Sequence, residues 1–261
     1  MVIRITFLFL AFGSFAKAQD SSYAKHMEVL LAKIETKTIT SEDKADLKSV
    51  AYNMEKQGQK LDDPKQDYEV SLDLLSKAIK IYKYLDDTFN LANNLKFRGY
   101  VLAKLKRFGL AKGEIKQAIS LYRSKKLDWS IPDCNLYLSR VFDIEKKIDS
   151  AVYYCNLSLN YWESKNSARR VFYNQTMLIS LFTKAGRLTE AKMLQEGSEI
   201  IAKGTKINLH DLIDFYVVSE ALYKKTNDFS NSRRCGKLYA DILTGFRGQG
   251  VTANSYFDNM P

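Results

Sequence analysis

Five short segments of this chain repeat one arrangement of apolar and small residues. The segments 68–72, 108–112, 148–152, 188–192 and 229–233 each place a bulky apolar residue three positions ahead of Ala or Ser. The small residues are Ser71, Ala111, Ala151, Ala191 and Ser232, at intervals of 40, 40, 40 and 41. A fixed period of this size marks an array of stacked helical hairpins, in which each unit buries its apolar face against its neighbours. Around each segment the apolar positions follow helical spacing. Leu95, Gly99, Leu102 and Leu105 precede a corner at Arg107–Phe108, and Ala111, Ile115, Ala118 and Leu121 form the returning face. Leu138, Ser139 and Phe142 stand before Ala151, Cys155 and Ser158. Leu178, Phe182 and Gly186 stand before Ala191 and Ser198. Val218, Leu222 and Tyr223 stand before Ser232 and Tyr239. The first unit runs from Leu47, Val50, Ala51, Met54 and Gly58 to Ser71, Leu75 and Ala78.

This pattern resembles the tetratricopeptide repeat (TPR), most closely over residues 94–122. There Gly99 occupies the small position of the first helix, and Ala111 and Ala118 those of the second. The resemblance covers about 45–244. It implies an all-α, right-handed solenoid of about five antiparallel helical hairpins, with first helices lining a concave groove. The period exceeds the usual 34 residues by six, equivalent to about 9 Å of added helix at 1.5 Å per residue. The closing proline of the pattern is missing, and Ile179 and Glu220 stand where a small residue belongs. A 40-residue period also suits HEAT-type repeats. The first hairpin carries about eight extra residues, and Asp63 with Pro64 reads there as an N-cap that starts the second helix early. Ser130 and Pro132 read the same way in the third unit. Residues 22–36 read as a helix closing the N-terminal end.

The first residues differ in kind. Arg4 is followed by an uncharged apolar run from Ile5 to Ala16, and Ala16-Lys17-Ala18 offers small residues at the positions a signal peptidase reads. The run is about 12 residues, too short for the roughly 20 that span a bilayer. The expected division is a signal peptide at 1–18, a capping helix and linker at 19–44, the repeat domain at 45–244, and a flexible tail at 245–261. The expected location is periplasmic or secreted, with no transmembrane span. Pro is scarce, at three residues, which favours helix.

The formal charge is +10. Loss of Arg4 and Lys17 with the leader leaves 10 − 2 = +8, which favours acidic partners. Export removes nucleic acid from that set. The three cysteines, Cys134, Cys155 and Cys235, form neither a disulfide framework nor a zinc motif and read as small buried hydrophobes. His26 and His210 lie at opposite ends of the chain. No nucleophile elbow, phosphate loop, zinc-protease helix or dinucleotide fingerprint is present, so no catalytic, metal or cofactor site is assigned.

The expected function is binding of a protein or peptide partner with acidic groups. Projecting the period onto the first helices selects Lys48, Tyr52 and Lys56, then Asn93, Lys96, Tyr100 and Lys104, then Leu136, Arg140 and Asp143. It continues with Tyr173, Thr176, Ser180 and Lys184, and ends with Asp214, Val217, Ala221, Lys224 and Lys225. The partner-binding set drawn from these is Lys48, Tyr52, Lys96, Tyr100, Lys104, Arg140, Tyr173 and Lys184. Cations outnumber acids in it, and tyrosine adds apolar area with a polar tip. Carboxylate-clamp members of the family use Lys and Asn at set positions. Lys48 fits one, but Tyr52 replaces the Asn, so that role is not carried over. Tyr82, Tyr84, Tyr122, Tyr153, Tyr154, Tyr161 and Trp162 fall on second helices and read as packing between repeats. The glycosylation acceptor patterns at Asn156 and Asn174 fall inside helices and are read as chance. Two other readings stand beside the scaffold: a sensory repeat domain acting with a membrane signalling protein, and a basic surface for anionic glycan or lipid. Cleavage after Ala18 makes a simple prediction: protein recovered from its native host has an intact mass that starts at Gln19. A mass retaining 1–18 contradicts it.

Overall fold

The computed structural model describes residues 25–59 and 67–248. The expected leader at 1–18, Asp63–Pro64 and most of the expected tail lie outside them. All the described elements are helical: α1 (25–36), α2 (Ser41–Gly58), α3 (Tyr68–Tyr84), α4 (Thr88–Lys104), α5 (Phe108–Ser124), a 3-10 turn (Asp128–Ser130), α6 (Ile131–Ile144), α7 (Ile148–Ser164), α8 (Ala168–Ala185), α9 (Leu188–Gly204), α10 (Leu209–Lys225) and α11 (Phe229–Gly248). The chain divides into two compact units, 1–126 and 127–261. The first holds α1 and the hairpins α2–α3 and α4–α5. The second holds α6–α7, α8–α9 and α10–α11.

The period has a simple origin. Helices α4, α5, α7, α9 and α10 are each 17 residues long. Three-residue links follow α4, α5 and α7, and 17 + 3 gives 20 per helix, or 40 per pair. Each link is the same left-handed stop. In the corner between α4 and α5, the Lys106 N–H donates to the Ala103 carbonyl (2.9 Å) and the Arg107 N–H to the Leu102 carbonyl (2.8 Å). These are the two bonds of a Schellman cap, which satisfy carbonyls that a helix end leaves open. The same pair recurs at Lys146 and Lys147, and at Asn166 and Ser167. The residue with positive φ falls at 86, 106, 126, 146, 166 and 186, then at 227. Of these only position 186 is Gly.

Where the two helices of a hairpin cross, side chains must be small. A Cβ on Gly99 would lie 2.7 Å from Ile115 Cγ1 and 2.8 Å from the Ala111 carbonyl oxygen. On Gly58 it would lie 2.8 Å from Leu75 Cγ. Ser139 stands at the same level in the third hairpin, and its hydroxyl turns the close approach into a hydrogen bond, donating to the Ala151 carbonyl at 2.7 Å. Ala111, Ala151 and Ala191 are fully buried, as their place in the pattern requires. Glu220, large at a small position, faces Gly236. A Cβ there would lie 3.5 Å from Glu220 Oε1, so the large and small partners have exchanged helices. Ile179 is accommodated in the core of the second unit with Ala191, Phe172 and Phe215.

The described α3 begins at Tyr68, the register of the other second helices, and its cap is Asp67, whose Oδ1 accepts the N–H of Glu69 at 2.9 Å. In the third unit Pro132 does sit in the first turn of α6, but Ser130 makes no side-chain cap and instead ends the 3-10 turn. The N-terminal helix is present. Met27, Leu30 and Leu31 of α1 pack on Leu47, Val50, Ala51 and Met54 of α2 and on Ala78 and Ile81 of α3. α2 starts at Ser41 with a capping box between Thr40 and Asp43. Lys33 donates to Asp43 Oδ1 at 2.7 Å, and this bond, helped by the Thr40 N–H, pulls the Asp43 carboxyl down to about 2.

An L-residue at positive φ is strained by about 1–2 kcal/mol, whereas glycine carries no Cβ to clash but loses more chain entropy. Lys146→Gly (φ 65° at this position) is therefore expected to raise stability by about 0.5–1 kcal/mol, and Gly186→Ala to lower it by a similar amount. Urea midpoints measure both; equal midpoints in all three proteins contradict the strained link.

Candidate functional site

The first helices position every residue of the expected groove. Gly58 and Gly99 occupy the same crossing and are 41 residues apart. This spacing sets Tyr52 level with Asn93, Glu55 with Lys96, and Gln59 with Tyr100. Lys48 and Lys56 therefore fall outside the levels of Lys96, Tyr100 and Lys104. The exposed strip on α2 consists of Lys48, Tyr52 and Lys56, with Lys56 Nζ 5.3 Å from the centre of the Tyr52 ring and Tyr52 itself 53% exposed.

On α4 the expectation is corrected. Lys96 is only 7% exposed and Tyr100 8%. Lys96 Nζ lies 4.8 Å above the Phe97 ring, and Lys104 Nζ lies 5.2 Å above the Tyr100 ring. The level that holds Lys96 also holds Glu55, Leu136 and Thr176, all buried. Within each unit this position is covered rather than open. Thr176 even turns its hydroxyl back to the Phe172 carbonyl at 2.9 Å.

Glu55, which sequence reasoning missed, is the centre of the first unit's polar interior. Its carboxylate accepts hydrogen bonds from Gln59 Nε2 (2.9 Å), Tyr82 Oη (3.0 Å), Asn93 Nδ2 (3.0 Å) and Asn94 Nδ2 (2.9 Å). Those donors lie on or beside α2, on α3 and on α4, so one buried carboxylate ties three helices. Burial, with the Glu55 charge next to it, pushes the Tyr82 phenol up, which keeps it a donor. The signal available in the sequence was the Gly58–Gly99 spacing, which sets Glu55 level with Lys96.

In the second unit the structure does bring the expected residues together. The Arg140 guanidinium on α6 lies 5.4 Å from the Tyr137 ring centre and 5.7 Å from that of Tyr173 on α8, and donates to the Tyr173 hydroxyl. Two aromatic faces and a phenol thus fix one cation. One turn further along, Lys184 pairs with Asp143 (2.5 Å), and at the other end Arg170 pairs with Asp133 (3.0 Å). Lys225 of α10 donates to the Thr183 carbonyl at 2.8 Å. Lys48, Tyr52, Lys96, Tyr100 and Lys104 belong to the first unit, and Arg140, Tyr173 and Lys184 to the second.

The remaining candidates resolve individually. Tyr82 and Tyr122 are buried packing residues as expected, but Tyr84 and Tyr153 are exposed. Tyr161 and Trp162 meet edge to face, with Arg170 5.0 Å over the indole. Asn156 and Asn174 lie within α7 and α8, and Asn174 is buried. All three cysteines are free and buried. Burial pushes the Cys155 thiol up to about 12, so it carries no thiolate at neutral pH. Among the described residues no group of three or more His, Cys, Asp or Glu is arranged to hold a metal, and no helix is long and apolar enough to cross a membrane.

Against known proteins, no family model matches the chain and no curated relative does. Solved structures do. BtubC (BKLC) from P. vanneervenii is 16% identical, with a TM-score of 0.63, over 87% of this chain and 92% of that one. A Podosopora anserina protein assigned as a kinesin light chain, with nearly identical TPR-like repeats, is 12% identical, with a TM-score of 0.54, over 77% of this chain and 97% of that one. At such identities the likeness is one of fold. The fold is all-α and built of TPR-like helical repeats.

A second polar network ties α9, α10 and α11. Tyr223 Oη donates to Gln195 Oε1 (2.7 Å), Gln195 Nε2 to Glu199 Oε2 (3.1 Å), and Arg234 grips both Glu199 oxygens at 2.7 and 3.2 Å. The Arg234 hydrogen bonds hold the Glu199 carboxyl down at about 2, against an ordinary 4.5. A carboxyl depressed on folding contributes stability above its unfolded value and loses it as pH falls through the folded one. The native chain should therefore lose this contribution between pH 4.5 and 2, and Arg234→Gln should flatten the stability–pH curve over that window. Parallel curves for the two proteins contradict the pair.

Proposed function

We propose that this chain is an exported TPR-like scaffold that binds a protein or peptide partner bearing acidic groups, without catalysing a reaction. The fold supports the general reading, because stacked helical hairpins present long side-chain faces to partners. The observation that carries the finer reading is the Arg140 cluster. A guanidinium pre-placed between Tyr137 and Tyr173 gives up little further freedom on meeting a carboxylate, and planar donors suit carboxylate geometry. The expected charge of +8 after export favours such partners over the whole surface.

Affinity capture tests this. The full chain, tagged at its C-terminus, is used to recover partners from its own cell envelope, beside an Arg140→Ala variant of unchanged helical circular dichroism. The native chain should retain a partner with an Asp/Glu-rich segment, and the variant should bind it roughly 30-fold or more weakly, the lower end of what truncating one side of a buried charge pair costs. Equal recovery by a folded variant moves the site away from Arg140.

A further inference from the structure

Consecutive first helices of the second unit meet along one face. Asp133 and Asp143 of α6 pair with Arg170 and Lys184 of α8, and Arg140 donates to the Tyr173 hydroxyl. Arg169 of α8 pairs with Asp211 of α10, Lys225 of α10 donates to the Thr183 carbonyl, and the rings of Phe172 and Phe215 meet at 5.1 Å. Leu136, Thr176 and Val217 hold one level of these helices, at intervals of 40 and 41. Leu136 and Thr176 are each 5% exposed, whereas Val217 is 42% exposed. Leu209, Ile213 and Ala221 share its stripe at helical spacing, with Leu209 and Ala221 exposed and Ile213 half-buried. Among the described residues no first helix follows α10 to cover this apolar stripe.

The sequence beyond α11 carries a pattern that fits it. The left-handed stops after α8 and α10, at 186 and 227, are 41 residues apart. The same step from Leu212, Phe215, Tyr216 and Ser219 of α10 reaches Ala253, Tyr256, Phe257 and Met260. In α10, Phe215 and Ser219 are buried, and Leu212 and Tyr216 pack on the core of the unit. One step earlier, Asn174 and Leu178 of α8 are buried at the places of Phe215 and Ser219. Positions 253, 256, 257 and 260 have the i, i+3, i+4, i+7 spacing of one helix face, and Thr252 before them is of a type that caps helix starts. Connectivity brings this segment to the right end of the unit. Glu220 faces Gly236 across the α10–α11 hairpin, so counting outward sets Gly248 beside the start of α10. The four residues 249–252 reach about 14 Å when extended, enough to cross the roughly 8–10 Å between packed helix axes.

We propose that residues 253–261 form a short helix that docks on the open face of α10, with Tyr256 and Phe257 turned to Ile213 and Val217. This replaces the flexible tail expected over these residues. The relation repeats that of α10 to α8. Ile213 stands 41 residues after Phe172 and Tyr256 stands 41 after Phe215, so Tyr256 meets Ile213 as Phe215 meets Phe172. The contact is apolar and needs none of the charges that α10 already engages with α8. It is independent of the Arg140 reading, since none of its residues belongs to that cluster. A helix this short is marginal in water without a surface to pack on, so its order depends on α10.

Hydrogen exchange of the full chain, read by mass spectrometry, tests the proposal. The amides of 256–260 should exchange at least about tenfold more slowly than those of an unstructured chain, at a rate unchanged by dilution. Val217→Arg, and separately Tyr256→Asp with Phe257→Asp, should each return these amides to the unstructured rate, with helical circular dichroism as the folding control. Three results overturn the proposal. One is unstructured exchange at 256–260 in the native chain. Another is slow exchange that survives Val217→Arg. The third is slow exchange that fades on dilution, which would place a second copy on α10.

Discussion

The close crossing of the two helices within a hairpin is the constraint on which the fold depends. At Gly99 the second helix leaves no room even for a methyl group, and at Ser139 the same contact closes as a hydroxyl-to-carbonyl hydrogen bond. Everything larger must sit above or below this point, which is why the apolar residues repeat with such fixed spacing. The constraint belongs to the pair of helices rather than to one position. Glu220 and Gly236 show this, because the fifth hairpin meets it with the small residue on the opposite helix. A family pattern that records single positions registers Glu220 as a departure, although the crossing itself is intact.

Much of the fold was legible in the sequence for this reason. The small residues at 71, 111, 151, 191 and 232 all prove buried, and the corners fall where the apolar spacing breaks. The links were less legible. A left-handed stop is usually signalled by glycine, and here Lys, Asp or Asn fills it at every repeat position except 186, so composition gave no warning. The site was the least legible part. The projection of the period onto the first helices picked residues of the second unit that lie near one another, Arg140 with Tyr173, but assumed that a charged residue on such a face is open. Lys96 and Glu55 refute that assumption, since both are buried, and the Glu55 carboxylate is satisfied by its neighbours. Distinguishing a covered from an open level requires knowing which helix packs against each face, and periodicity alone does not supply that.

The charged residues accordingly have two uses. Asp133, Asp143, Arg170 and Lys184 tie consecutive first helices, and Glu199 with Arg234 ties the last three helices of the second unit. Such pairs fix the orientation of each helix against the next without demanding close packing, and their exposed members contribute little to stability individually. Arg140 differs. It is held by aromatic rings and a phenol, and that grip sets its position while preserving its positive charge. Orientation is thus achieved by paired charge at most steps and by a cation on aromatic faces at one.

The left-handed links carry a consequence for how a chain of this kind changes over evolutionary time. The stop between α3 and α4, at Asp86 and Asp87, has the same two hydrogen bonds as the stop between α4 and α5, at Lys106 and Arg107. The backbone thus counts in single helices of 20 residues and makes no distinction between a joint within a hairpin and a joint between hairpins. The distinction resides only in the side chains, in which helices carry the crossing residues and which carry the covered face. A duplication or loss of 40 residues can break at any of these left-handed links and rejoin two equivalent stops. A change of 20 would keep every backbone joint and exchange the role of every helix beyond it. The heredity of such an array is therefore written in pairs, although its geometry is written in ones.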